Sequence, residues 1–125
     1  MPPEVNRPDV VADITAVFER YETALVANDV DTLDELFWDS PDVVRFGLAD
    51  RQQGHAQIAS FRRHAPGGPP PRTLENTVVT TFGTDVAVVT TEFRSTGDPR
   101  VGRQSQTWVR IDGRWRVVSA HVSIV

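Results

Sequence analysis

The chain has 125 residues, 39% of them apolar and 24% charged, which suits one folded domain over residues 1–125 that buries a core without staples. A net charge of −4 gives nucleic acid little to hold, and no apolar run approaches membrane-spanning length. There is no cysteine, hence no thiol nucleophile, disulfide or thiolate metal site; all 13 basic residues are arginine, so lysine Schiff-base chemistry is excluded while permanently ionised carboxylate binders are plentiful. The opening Met1-Pro2-Pro3-Glu4 is not a signal peptide, and a cytoplasmic location is the default expectation.

Residues 1–8 read as a flexible, Pro-rich arm. Asp9 is placed to cap a helix to about Ala27, in which Ile14, Phe18, Tyr21 and Leu25 recur at helical spacing and give it one apolar face. Asn28-Asp29-Val30-Asp31 breaks it, and Asp29 or Asp31 can cap a short second helix with Leu33, Leu36 and Phe37 facing inward. A turn through Trp38-Asp39-Ser40-Pro41-Asp42 leads to a brief strand from Val43 to Leu48. Gly54 precedes a third helix from His55 to about Ala65, with Arg62 and Arg63 where cations suit its C-terminal end; only one of the two can face a cavity. Pro66-Gly67-Gly68-Pro69-Pro70-Pro71 is a loop within the domain. Strands follow over Arg72 to Phe82 and Val86 to Ser95.

The last stretch, Gly102 to Val125, is the longest strand pattern, and Asp112-Gly113 suits the two positive φ angles of a type I′ hairpin turn. Pairing Ile111 with Arg114 sets Trp108 opposite Val117, Gln106 opposite Ser119 and Gln104 opposite His121 on one face. That face holds indoles near the turn and amides, a hydroxyl and an imidazole farther away, which reads as a cavity lining. Val109, Ile111, Val118, Val122 and Ile124 fall on the other face. Helices first and long antiparallel strands last give a segregated α+β fold. Three helices cover one sheet face, so the apolar surplus around Val109, Val118 and Val122 predicts a homodimer through the other.

Several segments together carry a resemblance: Phe18-Glu-Arg-Tyr-Glu-Thr-Ala-Leu25, Leu36-Phe-Trp38, Val44-Arg-Phe-Gly47, Phe61-Arg62, Thr80-Thr-Phe-Gly83, Gly102-Arg-Gln-Ser-Gln-Thr-Trp-Val109 and Gly113-Arg-Trp-Arg-Val-Val-Ser-Ala-His-Val-Ser123. In element order the chain resembles the NTF2-like (SnoaL-like) cone, three N-terminal helices packed on a curved antiparallel sheet. Within that superfamily it is similar to the AtzH-like or HpxZ-like oxalurate-catabolism family. The resemblance implies a small cofactor-free cavity. One member type is a decarboxylating amidohydrolase acting on urea-1,3-dicarboxylate from cyanuric acid breakdown, and others accompany oxalurate catabolism. The residues thought to act there map by motif onto Tyr21 and Arg45.

Read from the residues alone, Tyr21 is equally a core tyrosine with a satisfied hydroxyl, and Arg45 equally a surface arginine on an edge strand. If Arg45 faces inward it needs a carboxylate, and a small acidic substrate fits its planar fork. Gln104, Gln106 and His121 form a second tier; a Gln can donate to a carbonyl and accept from a ureido N–H. Trp38 and Phe61 are candidate cavity walls. Three scattered histidines give no metal-ligand spacing, so no metal is expected. The expected chemistry is hydrolysis or decarboxylation of a ureido carboxylate, with Arg45 holding a carboxylate and Tyr21 relaying a proton; a phenol titrates near ~10, so an adjacent cation would help it. A non-catalytic binding or scaffold dimer associated with an amidase is the alternative. Neither nucleic acid nor membrane is an expected partner.

Overall fold

Pro8 has no N–H to lose, and its fixed φ suits a first helical turn. Helix α1 therefore spans Pro8–Val26, with Arg7 rather than Asp9 at the cap position. Asp9 lies in the first turn and pairs with Arg7 at 2.9 Å. Val10, Ile14, Phe18, Tyr21 and Ala24 form its buried stripe. Helix α2, Val30–Leu36, is capped by Asp29, whose carboxylate accepts from the Thr32 N–H at 3.2 Å. The structure, a computed structural model, describes residues 2–65 and 67–125, so Met1 of the expected arm and Pro66 of the expected loop lie outside the described residues.

Two short strands, β1 (Val44–Phe46) and β2 (Arg51–Gln53), pair antiparallel. Only the first was expected, and it is shorter than expected. Gly54, at φ 89°, turns the chain into helix α3, His55–His64. The three helices are thus not consecutive: β1 and β2 separate α2 from α3. Strands β3 (Arg72–Phe82), β4 (Val86–Ser95), β5 (Gly102–Ile111) and β6 (Arg114–Ile124) follow the sequence pattern closely. Asp112 and Gly113, at φ 52° and 76°, make the expected β5–β6 turn. The result is an α+β fold with three helices and one six-stranded sheet in the order β2-β1-β6-β5-β4-β3. All neighbours are antiparallel except β1 and β6, which run parallel.

The core lies between the helices and the inner sheet face, where Ile14, Leu33, Leu36, Phe37, Trp108 and Val117 are almost fully buried. The arm expected to be flexible is tied to the end of β3. Val5 bridges Phe82, the Asn6 N–H donates to the Thr81 carbonyl at 3.0 Å, and the Asn6 amide oxygen accepts from the Thr81 N–H at 2.9 Å. Among the described residues no helix is long and apolar enough to cross a membrane.

The β5–β6 register departs from expectation at one point. Trp108 faces Val117, but Thr107 faces Ser119, so Val118 is an extra residue in β6. Beyond this bulge every β6 side chain changes face relative to uninterrupted pairing. Gln106 is opposite Ala120 instead of Ser119, and Gln104 opposite Val122 instead of His121. Val122 and Ile124 consequently join the inner face, and Val122 leaves the surface expected to form a dimer. His121 moves the other way.

Candidate functional site

Between the inner face of the sheet, α1 and α3 lies a cavity of about 460 Å³, a size typical of small-molecule sites. Tyr21 from α1, Arg45 from β1, Phe61 and Arg62 from α3, and Gln104 and Gln106 from β5 all line it. The loop carrying Gly68, Pro69 and Pro70, and the β4–β5 turn with Asp98 and Arg100, contribute to its rim.

Arg45 is brought inward by pairing. In the parallel β1–β6 ladder it lies beside Ala120, which in turn faces Gln106, so all three belong to one row across the inner face. Strands are about 4.8 Å apart, which sets the Arg45 and Gln106 backbones roughly 10 Å from each other with only a methyl group between them. The row leaves room for a small ligand between a guanidinium and an amide.

Arg45 is not, however, without a protein partner. Its Nη1 donates to Asp50 at 2.7 Å and to the Gln52 side-chain oxygen at 2.8 Å, while the Gln52 amide donates to the same Asp50 oxygen at 2.8 Å. The expectation that only a substrate would pair with Arg45 is therefore corrected. Burial pushes the Asp50 carboxyl up, but the hydrogen bonds from Gln52 and Arg45 outweigh it and hold the group below its ordinary value. Gly47 makes this possible: a methyl group there would collide with the Asp50 carboxylate. Only one prong of the fork is engaged, and among the described residues Nη2 and Nε make no hydrogen bond. The guanidinium lies 5.2 Å from the centre of the Phe61 ring, which walls that end of the cavity.

Tyr21 is 6% exposed and packed by Phe18, Phe37 and Trp108, with ring centres 6.1 to 6.3 Å away. Three rings fix its orientation, and among the described residues its hydroxyl makes no hydrogen bond. Of the two helix-end arginines, Arg62 faces the cavity and Arg63 faces solvent, with side chains 10% and 65% exposed. Arg62 lies 4.4 Å over the Phe37 ring and pairs with Asp34 at 3.3 Å. Burial pushes its guanidinium below the ordinary value; Tyr21 opposes that shift, Arg45 adds to it and Asp34 opposes it. Tyr21, Arg45 and Arg62 thus line the same cavity.

Gln104 and Gln106 are 7% and 1% exposed. The Gln106 side-chain oxygen accepts from the Trp108 indole at 3.0 Å, and that of Gln104 accepts from Arg72 Nη2 at 3.1 Å. Arg72 was not anticipated as a site residue. Its side chain is 4% exposed, bonded to both Glu22 oxygens at 2.7 and 2.8 Å and set 4.4 Å over the Phe93 ring. Phe93 in turn lies against the bare Cα of Gly102, where a side chain would clash. The contact joins residues 50 apart in sequence, and no local pattern announces it.

Of the other expected site residues, His121 reaches only the edge of the cavity and Trp38 is placed elsewhere. His121 borders the cavity, but it pairs with Phe46 and Ser105 on the outer face, and its ring meets Phe46 edge to face at 5.5 Å. Arg45 and His121 are thus on opposite faces of the sheet. Trp38 is half-buried against the core and does not line the cavity; its backbone N–H donates to the Val117 carbonyl at 3.0 Å. Its neighbour Phe37 supplies the ring beneath Arg62 instead. Among the described residues no cluster of three His, Asp or Glu side chains could hold a metal ion.

The AtzH-like family model matches residues 3–125. The chain is similar to a solved protein of unknown function from the DUF3225 family of Pectobacterium atrosepticum, with 50% identity over 97% of this chain and 94% of that one and a TM-score of 0.94. It is also similar to a cystatin-like fold protein from Burkholderia xenovorans, with 48% identity over 98% and 97% of the two chains and a TM-score of 0.94. An NTF2-like superfamily protein from Salmonella enterica shares 26% identity over 93% and 91%, with a TM-score of 0.73. A comparison with curated proteins found no match. With the family's match running through α1, β1 and the β5–β6 hairpin that build the cavity, the chain belongs to the AtzH-like family of the NTF2-like superfamily.

Proposed function

We propose that the chain is an enzyme that acts without a cofactor on a C–N bond of a small ureido carboxylate, such as urea-1,3-dicarboxylate or an oxalurate-like compound. One observation carries the reading: a half-engaged guanidinium, Arg45, and a phenol with no hydrogen bond among the described residues, Tyr21, line one cavity. Arg45 receives a substrate carboxylate on its remaining N–H groups. The buried Arg62 adds positive charge, and Tyr21 delivers a proton to the nitrogen of the N-carboxy group. On urea-1,3-dicarboxylate the nitrogen that takes the proton also takes the electron pair of the breaking C–N bond, and carbon dioxide leaves; on an oxalurate-like compound, which has no N-carboxy group, water adds to the acyl carbon and the proton goes to the departing nitrogen. Electrostatic preorganisation is the main contribution asked of the protein, because N-carboxy ureas lose carbon dioxide readily once protonated.

Turnover of urea-1,3-dicarboxylate and oxalurate by the purified protein and by Tyr21→Phe tests the reading. Wild-type turnover that falls by two or more orders of magnitude in a folded Tyr21→Phe is the expected result, in the range for loss of a general acid. A second reading, a non-catalytic binding or scaffold dimer that accompanies an amidase, is favoured by the carboxylate partners that Arg45, Arg62 and Arg72 already have within the chain. Absence of turnover together with co-purification of an amidase would support that reading.

A further inference from the structure

We infer that Trp108 and Arg72 are positioning residues that lock Gln106 and Gln104 as hydrogen-bond donors, so that this wall of the cavity accepts oxygen atoms of a ligand and rejects its N–H groups. An amide is ordinarily ambivalent, one oxygen acceptor and one NH2 donor, able to turn over to suit its partner. Neither glutamine has that freedom. An indole N–H and a guanidinium only donate, so the amide atom facing each must be oxygen. The nitrogens are left pointing away from these partners. Both are buried, both residues line the cavity, and among the described residues neither nitrogen has a partner. A buried donor without an acceptor costs on the order of 1–3 kcal/mol, and the two residues that carry these donors are next neighbours on the inner face of β5, in the wall of the cavity. Two other buried orphan atoms, Thr81 Oγ1 and Trp115 Nε1, belong to residues that do not line the cavity.

The lock is braced from outside the cavity. Glu22 neutralises Arg72 by accepting from Nε and Nη2, which keeps that arginine from acting as an anion site of its own, and Nη2 also donates to Gln104. Trp108 is completely buried and braced edge-on by Tyr21. The inference rests on the proposed reading of the cavity, in which Arg45 anchors one carboxylate. It adds that the far end of the ligand presents oxygen to the glutamines, so that ureido N–H groups turn toward Tyr21.

The test compares two probes of one size, malonate and malonamate, the second having one carboxylate replaced by a primary amide. The expected result is that wild type binds malonate tighter by about tenfold or more, since the amide sets a donor against a donor. Gln106→Glu keeps an oxygen for Trp108 and turns the other toward the ligand, and it reverses the preference toward malonamate. Trp108→Phe lets Gln106 turn over and brings the ratio toward one, whereas a Trp108 that served packing alone would lower Tm and leave the ratio unchanged. Equal affinities in wild type, or a ratio unmoved in both variants, overturns the inference. The lock is also read without ligand: the Trp108 indole N–H exchanges slowly with solvent and loses protection in Gln106→Leu, and fast exchange in wild type overturns it. If malonate fails to bind while the indole N–H is protected, or if Arg45→Lys binds malonate as wild type does, the arginine-anchored reading fails and the lock stands.

Discussion

A single carboxylate decides how Arg45 behaves. Asp50 takes one prong of the guanidinium and orients the rest of the fork, and both side chains are partly exposed, 22% for Arg45 and 28% for Asp50. The pair therefore contributes only about 1 kcal/mol to stability after solvent screening. Arg45→Lys should fold, lose no more than that in chemical denaturation, and weaken malonate binding by on the order of 2–5 kcal/mol, because the planar two-pronged donor is lost while the charge remains. Equal losses in stability and binding would identify a purely structural ion pair. Gly47→Ala removes the space for the Asp50 carboxylate; it should weaken binding through a displaced Arg45 while the chain stays folded, read as a lower malonate affinity at a Tm within a few degrees of wild type.

The same pair sets a pH dependence. Because the folded Asp50 pKa lies below the unfolded value near ~3.9, its contribution to stability is complete above that pH and is lost as pH falls through the lower, folded value. Asp50→Asn should flatten the acid limb of the Tm profile and leave the neutral region displaced by a constant amount. Superimposable acid limbs would refute the assignment.

At the scale of the element, the Val118 bulge governs which side chains see the cavity. Deleting Val118 removes the extra residue and makes the pairing continuous, and it keeps Ser119 opposite Thr107, Ala120 opposite Gln106 and Val122 opposite Gln104, so each side chain stays on its face. The expected outcome is a folded variant that keeps cooperative thermal unfolding and its far-UV circular dichroism; loss of cooperativity would show that the bulge is needed for more than register. The bulge also marks the limit of what the sequence discloses. Strand limits, the Asp112-Gly113 turn and the inward stripe of α1 follow from periodicity and turn chemistry, and Tyr21, Arg45, Gln104 and Gln106 fall where that pattern and the family motif lead. In Val117-Val118-Ser119-Ala120-His121-Val122, by contrast, both alternations begin with a valine, and the polar continuation Ser119, His121 of the first reads equally as a cavity lining, so the extra residue leaves no trace. Strand β2 was missed because Arg51-Gln52-Gln53 has no strand propensity; it forms by pairing with β1. Arg72 was missed because its role depends on Glu22 and Gln104, distant in sequence. Trp38 was overvalued because one step along the chain, Phe37 takes the buried position.

For the whole molecule, the outer sheet face is the surface that bears on assembly. It carries Val86, Val88 and Val109 among threonines and charged side chains, with Val86 37% exposed. We propose that a second copy covers it, a homodimer through this face without the contribution of Val122 first expected. Sedimentation at micromolar concentration should give a dimer, and Val109→Asp should give a folded monomer. A wild-type monomer would sink the proposal.

The parallel pairing of β1 with β6 has a consequence in time. Arg45 belongs to the first half of the chain, yet the ladder that turns it inward is made with Ser119, Ala120 and His121. The helices and the β1–β2 hairpin can gather early through local contacts, whereas the arginine reaches its post only when β6 has been added to the sheet, a step that must close a very long loop. On the proposed function, ligand affinity is accordingly the last property this chain acquires as it folds, and a nascent chain still lacking β6 has its phenol and its guanidinium but no assembled cavity.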